Sequence, residues 1–490
     1  MTTTILDKNQ ILKEKFGYDS FRGRQADVID SVLSGKDTVC IAPTGAGKSL
    51  NFQVPSLMLD GLTIVVSPLI ALMKDQVDTL VSKGLPSTFI NSSLGQSDYS
   101  ERLNMVIAGK FKILYVSPER FSNSSFMGAM STVNVSLFAI DECHCVSQWG
   151  HDFRPDYLRL AKAINAFNRP PVIALTATAT PEVREDVVKQ LELREPNVFV
   201  SGFERENLTL GVEFSARKEM KFYRVMKDAK KWETGIIYCS TRRNVEALSR
   251  YFKSNKIKHV SYHGGMKEDD RNEIQNKFMS GNYPVVIATN AFGMGIDRSD
   301  LRFVTHLDIP GSVEAYYQEA GRAGRDGLLS HCRLLYDASS VATQQFFIDG
   351  ANPTRDIVQK TYDKIIFLCG VGSINMTVEE ISEELSGEVR NGMAVGGALK
   401  LLDRHKGIRR WYESGRRGYF TAVNYPIKKI EDFNIDFASL NAKRMRDYDR
   451  LDEVKAYAEN YNQCRQGFIL DYFGEKSRNC GRCDVCESKK

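Results

Sequence analysis

The sequence predicts an α/β protein with two tandem lobes, each built on a parallel β-sheet, followed by a winged-helix-like segment and a small helical module. Short β-branched runs alternate with helical patterns over two successive stretches, which indicates parallel sheets with crossover helices. Four cysteines gathered close to the end of the chain mark the last module. With 490 residues, the chain is long enough for roughly three or four domains.

Composition and charge narrow the class of protein. A content of 42% hydrophobic and 26% charged residues is typical of a globular chain rather than a disordered one. No stretch of about 18 apolar residues occurs, and residues 1–15 lack the apolar core of a signal peptide, so we expect neither a membrane span nor secretion. A net charge of +5 permits nucleic-acid binding without requiring it. The cysteines outside the last module are expected to be reduced and mostly buried, which favours an intracellular location.

The first lobe is expected at residues 1–205 and the second at residues 206–345. Predicted strands of the first lobe occupy residues 38–41, 64–66, 113–116, 137–140 and 172–175. Those of the second lobe occupy residues 235–239, 285–288 and 303–306. These runs are rich in β-branched and other apolar residues, which favours strands that are buried on both faces.

The winged-helix-like segment is expected at residues 346–430. Within it, the pair Thr377 and Glu380 predicts a capping box at the start of the second helix. A third helix is predicted at residues 393–405, and residues 409–423 then form a predicted hairpin. Three helices followed by a hairpin are the plan of a winged helix.

The last module, residues 431–490, combines an amphipathic helix with the four cysteines. The predicted apolar face of the helix is formed by Leu451, Val454, Tyr457 and Tyr461. The cysteines are Cys464, Cys480, Cys483 and Cys486. Four thiolates at this spacing typically hold a structural zinc ion in a tetrahedral site with no open position. Disulfide bonds are the alternative, and a reducing compartment argues against them.

A glycine-rich turn follows the first predicted strand and precedes a predicted helix. It carries Thr44, Gly45, Ala46, Gly47, Lys48 and Ser49. In this setting backbone amides can wrap a phosphate, while Lys48 would neutralise the terminal phosphates of a nucleoside triphosphate and Ser49 would hold Mg²⁺. The general motif begins with glycine where this chain has Ala42. A glycine-rich turn without function is the alternative, and the strand and helix on either side argue against it.

Two carboxylates, Asp141 and Glu142, follow the apolar strand that ends at Ile140. At the carboxyl end of a parallel strand they would lie beside the phosphate loop. Asp141 is expected to hold Mg²⁺, and Glu142 to orient or activate the water that attacks the terminal phosphate. Taken alone, such a pair is more often a favourable cap of a helix N-terminus. Its partnership with Lys48 favours the catalytic interpretation.

A basic run lies over residues 400–429. Nine lysines and arginines stand there against Asp403 and Glu413, a local excess of seven positive charges. A basic helix and hairpin suit the phosphates of a DNA duplex. A solvated charged face is the alternative for such a run.

The sequence also resembles superfamily 2 helicases, and specifically the RecQ family of DNA helicases. The resemblance covers residues 10–345 and returns in the cysteine module. Its most specific segments are an aromatic-rich loop at residues 145–155 and motif VI at residues 318–325. Residues 176–178 resemble motif III, and residues 288–297 resemble motif V. The resemblance implies that both lobes are RecA-like.

Residue roles follow from the same resemblance. Adenine would be held by Tyr18, Arg22 and Gln25, and further nucleotide contacts would come from Gly295 and Asp297. Across the cleft between the lobes, the catalytic set would include Gln318, Arg322 and Arg325, because a fixed guanidinium stabilises the charge that develops in the transition state.

The aromatic-rich loop would couple DNA binding to ATP hydrolysis. The residues implied in that coupling are Gln148, Trp149, His151, Phe153 and Arg154. The rings of Trp149 and Phe153 offer faces for stacking on unpaired bases without reading the sequence. Packing of either ring in the core is the alternative.

In one respect the order of segments departs from the family. The zinc module of RecQ proteins usually follows the second lobe directly and precedes the winged helix, whereas here the winged-helix-like segment comes first. Four residues follow Cys486 in this sequence, so we expect no further nucleic-acid-binding domain there.

The combined expectation is a Mg²⁺- and ATP-dependent DNA helicase with a structural zinc ion. The resemblance implies movement 3′ to 5′ on single-stranded DNA and unwinding of duplexes, forked DNA included, in recombination and repair. Such an enzyme would be cytoplasmic and associated with the nucleoid in a bacterium, or nuclear in a eukaryote, and a monomer is compatible with the sequence. Two alternatives stay open: an RNA helicase or duplex translocase on the same motor, and a non-catalytic zinc and winged-helix protein that binds nucleic acid.

Overall fold

The computed structural model describes residues 7–490 apart from residues 294, 295 and 297. Strands in this part of the chain form two large parallel sheets and one small antiparallel sheet. The prediction of two parallel-sheet lobes followed by helical modules is therefore confirmed. No helix among the described residues is both long enough and apolar enough to span a membrane.

The sheet of the first lobe has seven parallel strands in the order β3-β4-β2-β5-β6-β1-β7. The strands are β1 (Thr38–Ile41), β2 (Leu62–Val66), β3 (Ser87–Ile90), β4 (Ile113–Val116), β5 (Val135–Ile140), β6 (Val172–Thr176) and β7 (Asn197–Val200). The helices are α1 (Lys8–Ile11), α2 (Gln25–Leu33), α3 (Leu50–Met58), α4 (Ile70–Ser82), α5 (Gln96–Ile107), α6 (Ser124–Met130), α7 (Leu160–Ala166) and α8 (Pro181–Gln190). Because β1, β6 and β5 are neighbours, the loops at their carboxyl ends meet at one edge of the sheet.

The sheet of the second lobe has six parallel strands in the order β10-β11-β9-β12-β13-β8. Its strands are β8 (Leu208–Phe214), β9 (Gly235–Tyr238), β10 (His259–Tyr262), β11 (Val285–Ala288), β12 (Phe303–His306) and β13 (Ser330–Tyr336). Its helices are α9 (Lys218–Trp232), α10 (Arg242–Ser254), α11 (Glu268–Met279), α12 (Val313–Ala320) and α13 (Ala338–Ala351).

The third unit has a core of its own and the plan of a winged helix. It consists of α14 (Arg355–Cys369), β14 (Ser373–Met376), α15 (Val378–Glu384), α16 (Gly392–Arg404), β15 (Ile408–Trp411) and β16 (Tyr419–Val423). The capping box of Thr377 and Glu380 is present at the start of α15, as predicted. The buried apolar residues of this third unit run from Val358 to Phe433, whereas Ile348 of α13 packs in the core of the lobes.

The last helices are α17 (Phe437–Glu459), α18 (Arg465–Tyr472) and α19 (Asp484–Glu487). Helix α17 lies against α13, where Asp349 accepts hydrogen bonds from Arg444 and Tyr448. The winged helix is thus an insert between two helices that pack together. Leu451, Val454 and Tyr457 are buried as predicted, but the prediction for Tyr461 is wrong. That ring lies beyond the end of α17, is 62% exposed and stacks on Phe214.

The cysteine-rich end of the chain packs on both lobes. The ring of Phe473 stacks on Phe203 with centroids 4.2 Å apart, and its carbonyl accepts a hydrogen bond from Arg184 of α8. The carboxylate of Asp484 accepts a hydrogen bond from the backbone amide of Val212 in β8, which is the edge strand of the second sheet. The module therefore covers an exposed strand edge and ties the two lobes together.

Candidate active site

The phosphate loop lies between β1 and α3, and Gln25 holds its shape. The Nε2 atom of Gln25 donates to the carbonyls of Ala46 at 3.0 Å and Gly47 at 3.1 Å. A Cβ atom at Gly47 would lie 2.7 Å from that same Nε2, and the φ angle there is +74°, so only glycine suits the position. The ammonium of Lys48 donates to the carbonyl of Ala42 at 3.0 Å.

The residues expected to bind adenine lie just before α2. Tyr18 is 45% exposed, and the guanidinium of Arg22 lies 6.0 Å from the centre of its ring. Gln25 is buried, with its Oε1 accepting a hydrogen bond from the backbone amide of Arg22 at 2.8 Å. Sequence reasoning expected Gln25 to meet the base, and it missed that this side chain also braces the phosphate loop.

The two carboxylates emerge at the carboxyl end of β5. Asp141 Oδ1 accepts a hydrogen bond from the backbone amide of Glu142 at 3.0 Å. Glu142 has a φ angle of +48°, a left-handed conformation that non-glycine residues rarely adopt and that is often found at functional sites. Its Oε2 is buried, lies 3.3 Å from Nδ1 of His144, and makes no hydrogen bond within the described residues.

Burial and neighbouring charges set the protonation of this pair. Burial and the charge of Glu142 raise the pKa of Asp141, with Lys48 acting in the opposite direction. For Glu142, burial opposes ionisation, but the close contact with His144 and its charge, with help from Lys48, lower the pKa below its usual range. The Glu142 carboxylate is therefore ionised at neutral pH, as a general base requires.

Oxygen donors for Mg²⁺ are present at the same edge of the sheet. Ser49 stands at the N-cap position of α3, yet its hydroxyl makes no capping hydrogen bond. Lys48 influences the pKa of both carboxylates, which places the loop and the carboxylates within electrostatic reach of each other. Hydroxyl and carboxylate oxygens are the ligands that Mg²⁺ prefers, so Ser49 and Asp141 fit this cation.

The second lobe reaches this site through the end of α12. Gln318 Nε2 donates to the hydroxyl of Thr178 across the cleft at 3.0 Å. A Cβ atom at Gly45 would lie 3.5 Å from Cγ of Arg325, which places that arginine against the phosphate loop. Arg322 is buried in the second lobe and contacts the hydroxyl of Tyr238. Gly295 and Asp297, the other predicted nucleotide contacts, lie outside the described residues.

The aromatic-rich loop, residues 145–155, lies beside the carboxylates and is called the coupling loop below. Gln148 is exposed, Phe153 is half-buried, and the Trp149 side chain is 54% exposed rather than packed in the core. Arg154 pairs with Asp152 at 2.9 Å and donates to the carbonyl of Pro68 at 3.2 Å, so it holds the loop in place instead of facing solvent.

A continuous set of contacts joins the coupling loop to the cleft between the lobes. The ring of His151 stacks on His144 with centroids 4.4 Å apart. His144 Nδ1 lies 2.8 Å from the hydroxyl of Thr176, which in turn accepts a hydrogen bond from the backbone amide of Thr178. Thr178 then meets Gln318 of the second lobe. Sequence reasoning gave His144 no role, although its place two residues after Glu142 was a signal.

The four terminal cysteines come together as the spacing predicts. Their sulfur atoms all lie within 4.8 Å of one another, and those of Cys464 and Cys483 are 3.8 Å apart. A tetrahedral zinc ion with metal–sulfur distances of about 2.3 Å separates its sulfurs by about 3.8 Å. Backbone amides of Cys480 and Arg465 donate to the sulfurs at 3.2 and 3.4 Å, which stabilises thiolates. The cluster fits a closed, structural zinc site.

Comparisons with known proteins agree with this geometry. Models of the DEAD/DEAH box helicase, the helicase conserved C-terminal domain and the RecQ zinc-binding domain match residues 22–187, 217–327 and 427–487. The chain is 45% identical over 341 residues to the ATP-dependent DNA helicase RecQ of Bacillus subtilis, a match that covers 69% of this chain and 58% of that protein. It is 41% identical over 350 residues to the probable ATP-dependent DNA helicase RecS of the same organism, covering 71% of this chain and 70% of that one.

Among solved structures, the fold is similar to that of Mss116p bound to single-stranded RNA and AMP-PNP. The TM-score is 0.57 at 14% sequence identity, and the match covers 82% of this chain and 92% of that chain. At this identity the likeness shows a shared fold alone. The chain spans little more than half the length of the first curated relative, at 58%.

Proposed function

This chain belongs to the RecQ family of helicases, and on that premise we propose that it is an ATP-dependent DNA helicase. It moves 3′ to 5′ on single-stranded DNA and opens duplexes, forked DNA included, during recombination and repair. The observation that carries the proposal is the unbroken set of contacts from the coupling loop through His144 and Thr178 to Gln318. A DNA strand on the loop can thereby influence both the general base and the contact between the lobes.

Each residue of the site has one task in this mechanism. The phosphate loop binds the phosphates through its amides and Lys48, while Tyr18 and Arg22 hold the adenine. Glu142 orients and activates the attacking water, and His144 keeps its carboxylate ionised. Mg²⁺, held by Ser49 and Asp141, would neutralise the charge on the β- and γ-phosphates.

Hydrolysis is tied to closure of the lobes. Arg325 lies against the loop at Gly45, where its guanidinium can stabilise charge that develops on the terminal phosphate. Arg322 is buried within the second lobe, close to Tyr238. Because these groups come from the second lobe, ATP is hydrolysed only when the lobes are together, and repeated closure moves the strand.

The mechanism is tested by Lys48→Ala and Glu142→Gln. Both variants should lose DNA-stimulated ATP hydrolysis by about 100-fold or more, since removal of a positioned catalytic group commonly costs a factor of 10²–10⁴. Lys162→Ala, an exposed lysine of α7, is the matched control and should keep the rate of the unmodified protein. Hydrolysis at the unmodified rate in either site variant would show that the assigned mechanism is wrong.

Direction and substrate class are tested by strand displacement. Duplexes with a 3′ tail, with a 5′ tail and with a fork should be compared with and without ATP, and the ATPase should be measured with DNA and with RNA. We expect unwinding of the 3′-tailed and forked duplexes and stimulation by DNA. Stimulation by RNA alone would identify an RNA helicase, and stimulation by blunt duplex without unwinding would identify a translocase.

A further inference from the structure

A cleft of about 550 Å³ separates the coupling loop from the winged-helix insert. One wall of the cleft carries Gln148, Asp152 and Phe153, and the opposite wall carries Arg404, Lys443 and Arg446. The second wall is built from the C-terminal end of α16, which belongs to the insert, and from α17, so the insert faces the first lobe at the coupling loop. The volume lies within the range of about 300–1,000 Å³ that is typical of ligand clefts.

Each carboxylate of the cleft already has an ion-pair or hydrogen-bond partner within the protein. Asp152 pairs with Arg154, and Asp447 pairs with Lys443 and with Arg450. Asp436 accepts a hydrogen bond from the backbone amide of Ser439 at the start of α17.

Two arginines remain after this matching. Within the part of the chain that the structure describes, neither Arg404 nor Arg446 forms an ion pair. The cleft therefore presents an excess of positive charge, which suits a polyanion.

The side chain of Arg446 lies against the exposed ring of Trp149 in the coupling loop. Its guanidinium lies 5.4 Å from the centre of the Trp149 ring, in a cation–π contact. Its Nε atom is buried and has no hydrogen-bond partner within the described chain. A guanidinium with an unsatisfied donor on an exposed ring is poised to move to an anionic oxygen.

We propose that the cleft takes a segment of single-stranded DNA, and that a base then replaces the Arg446 guanidinium on the ring of Trp149. The freed Arg446, together with Arg404, meets phosphates of the same strand. This inference rests on the proposed function, because it presumes that the chain binds DNA. It assigns to the winged-helix insert a direct part in holding the strand at the coupling loop.

The occupant is single-stranded because only an unpaired base can lie flat on an indole ring. Stacking of a base on an aromatic ring is stronger than an exposed cation–π contact, so the exchange is favourable once a strand is present. The phosphates next to that base give the displaced guanidinium a charged partner, which water alone does not.

The position of the strand can be tested by photocrosslinking. A single-stranded oligodeoxynucleotide that carries 5-iodouracil would be bound, irradiated and mapped by mass spectrometry. The chain has three tryptophans, Trp149, Trp232 and Trp411, so the site of attachment discriminates between surfaces. We expect attachment at Trp149. Attachment only at Trp411 of the hairpin, or only at residues outside the cleft, would overturn the proposal.

The exchange itself is tested by the salt dependence of binding. Each phosphate contact to a single strand contributes about 0.7 to the slope of log K against log salt concentration. Arg446→Ala and Arg404→Ala should each lower the slope by about 0.7, while Arg250→Ala, an exposed arginine of α10, should leave it unchanged. An unchanged slope in Arg446→Ala would mean that the guanidinium stays on the ring, which contradicts the exchange.

Failure of the inference and failure of the proposed function give different results. If the unmodified protein binds single-stranded DNA and is stimulated by it, yet both cleft variants behave like Arg250→Ala, only the cleft assignment is wrong. If the unmodified protein binds no single-stranded DNA at all, the proposed function fails with it.

Discussion

At the scale of single residues, Asp141 lowers the stability of the fold in the ionised state that its proposed role requires. Burial and the charge of Glu142 raise its pKa above that of an unfolded chain. The ionised carboxylate therefore destabilises the folded protein, an effect that is absent below the unfolded pKa of about 4 and complete above the folded pKa. Mg²⁺ requires this ionised form, so stability and function oppose each other here.

Asp141→Asn should consequently stabilise the protein while it abolishes ATP hydrolysis. The gain in free energy of unfolding should be on the order of 1 kcal/mol at pH 8 and smaller at pH 5, because the cost that is removed grows with pH. Denaturant unfolding at the two pH values measures this difference. Asp60→Asn, at an exposed position, should show no such trend. An equal effect at both pH values would mean that the pKa of Asp141 is not raised.

Gly150 is the residue on which the shape of the coupling loop depends. A Cβ atom there would lie 2.3 Å from the carbonyl oxygen of His144, so alanine must displace the loop. We expect Gly150→Ala to lose roughly 1–3 kcal/mol of stability and most of the stimulation of the ATPase by DNA. Gly128→Ala in α6, where a Cβ meets open space, is the control and should be neutral or stabilising. Full stimulation in Gly150→Ala would show that the loop is not a coupling element.

At the scale of elements, the zinc module should fold only around its metal. Arg465 is almost fully buried there and pairs with Asp484 at 2.9 Å, an arrangement that depends on the loop that carries Cys483. Cys483→Ser should lose zinc and more than about 3 kcal/mol of stability, because a closed zinc site contributes directly to folding. Metal analysis and thermal unfolding measure both effects.

Cys369→Ser provides the matched control for that experiment. Cys369 is buried in the winged helix and its thiol donates to the carbonyl of Thr421 at 3.3 Å, a bond that a hydroxyl can also make. This variant should keep one zinc ion per chain. Retention of zinc and of stability by Cys483→Ser would show that the cluster is not a metal site.

The hairpin between β15 and β16 should contact duplex phosphates. Arg416 and Arg417 are exposed at its tip, and the hairpin also carries Arg409, whose guanidinium lies 5.4 Å from the ring of Trp411. Each alanine substitution at the tip should lower the salt slope of duplex binding by about 0.9. A slope unchanged in the double variant would leave the basic run as a solvated charged face.

How far the sequence predicted these elements depends on where each strand lies in its sheet. Strands β4, β11 and β12 lie inside their sheets and are fully buried, so their apolar runs predicted the observed bounds. The edge strands β3, β7, β8 and β10 were not predicted, because a partly exposed edge admits polar residues and breaks the apolar pattern. Strand β13 lies inside its sheet, but Arg333 interrupts its apolar run, and that interruption hid the strand.

Within the site, motifs predicted residues but not contacts between distant segments. The loop, the carboxylates and the cysteines have fixed local spacing, so sequence reasoning found them. The brace from Gln25 to the phosphate loop and the stack of His151 on His144 depend on the packing of the folded chain. The insertion of the winged helix between α13 and α17 likewise appears only when the two helices are seen to pack together.

At the scale of the whole molecule, two features hold the lobes in register. The zinc module packs on both lobes from one side, through the stack of Phe473 on Phe203 of the first lobe and the hydrogen bond from the Val212 amide of the second lobe to Asp484. Within the cleft, Gln318 of the second lobe meets Thr178 of the first. In the proposed mechanism the zinc module stays in place, whereas the contact between Gln318 and Thr178 forms and breaks as the lobes close and open.

Gln318→Ala should therefore slow the motor without weakening its grip on DNA. A net hydrogen bond contributes about 0.5–1.5 kcal/mol, so its loss should lower the rate of DNA-stimulated hydrolysis about two- to tenfold. The affinity for single-stranded DNA should stay the same, because neither Gln318 nor Thr178 lines the cleft between the coupling loop and the winged-helix insert. Gln96→Ala, at an exposed position of α5, is the control.

If Gln318 and Thr178 act as a pair, Thr178→Val should have a similar effect, and the double variant should be no slower than either single variant. Additive effects would mean that Gln318 acts through another partner, and closure would then have to depend on Arg325 and the zinc module instead.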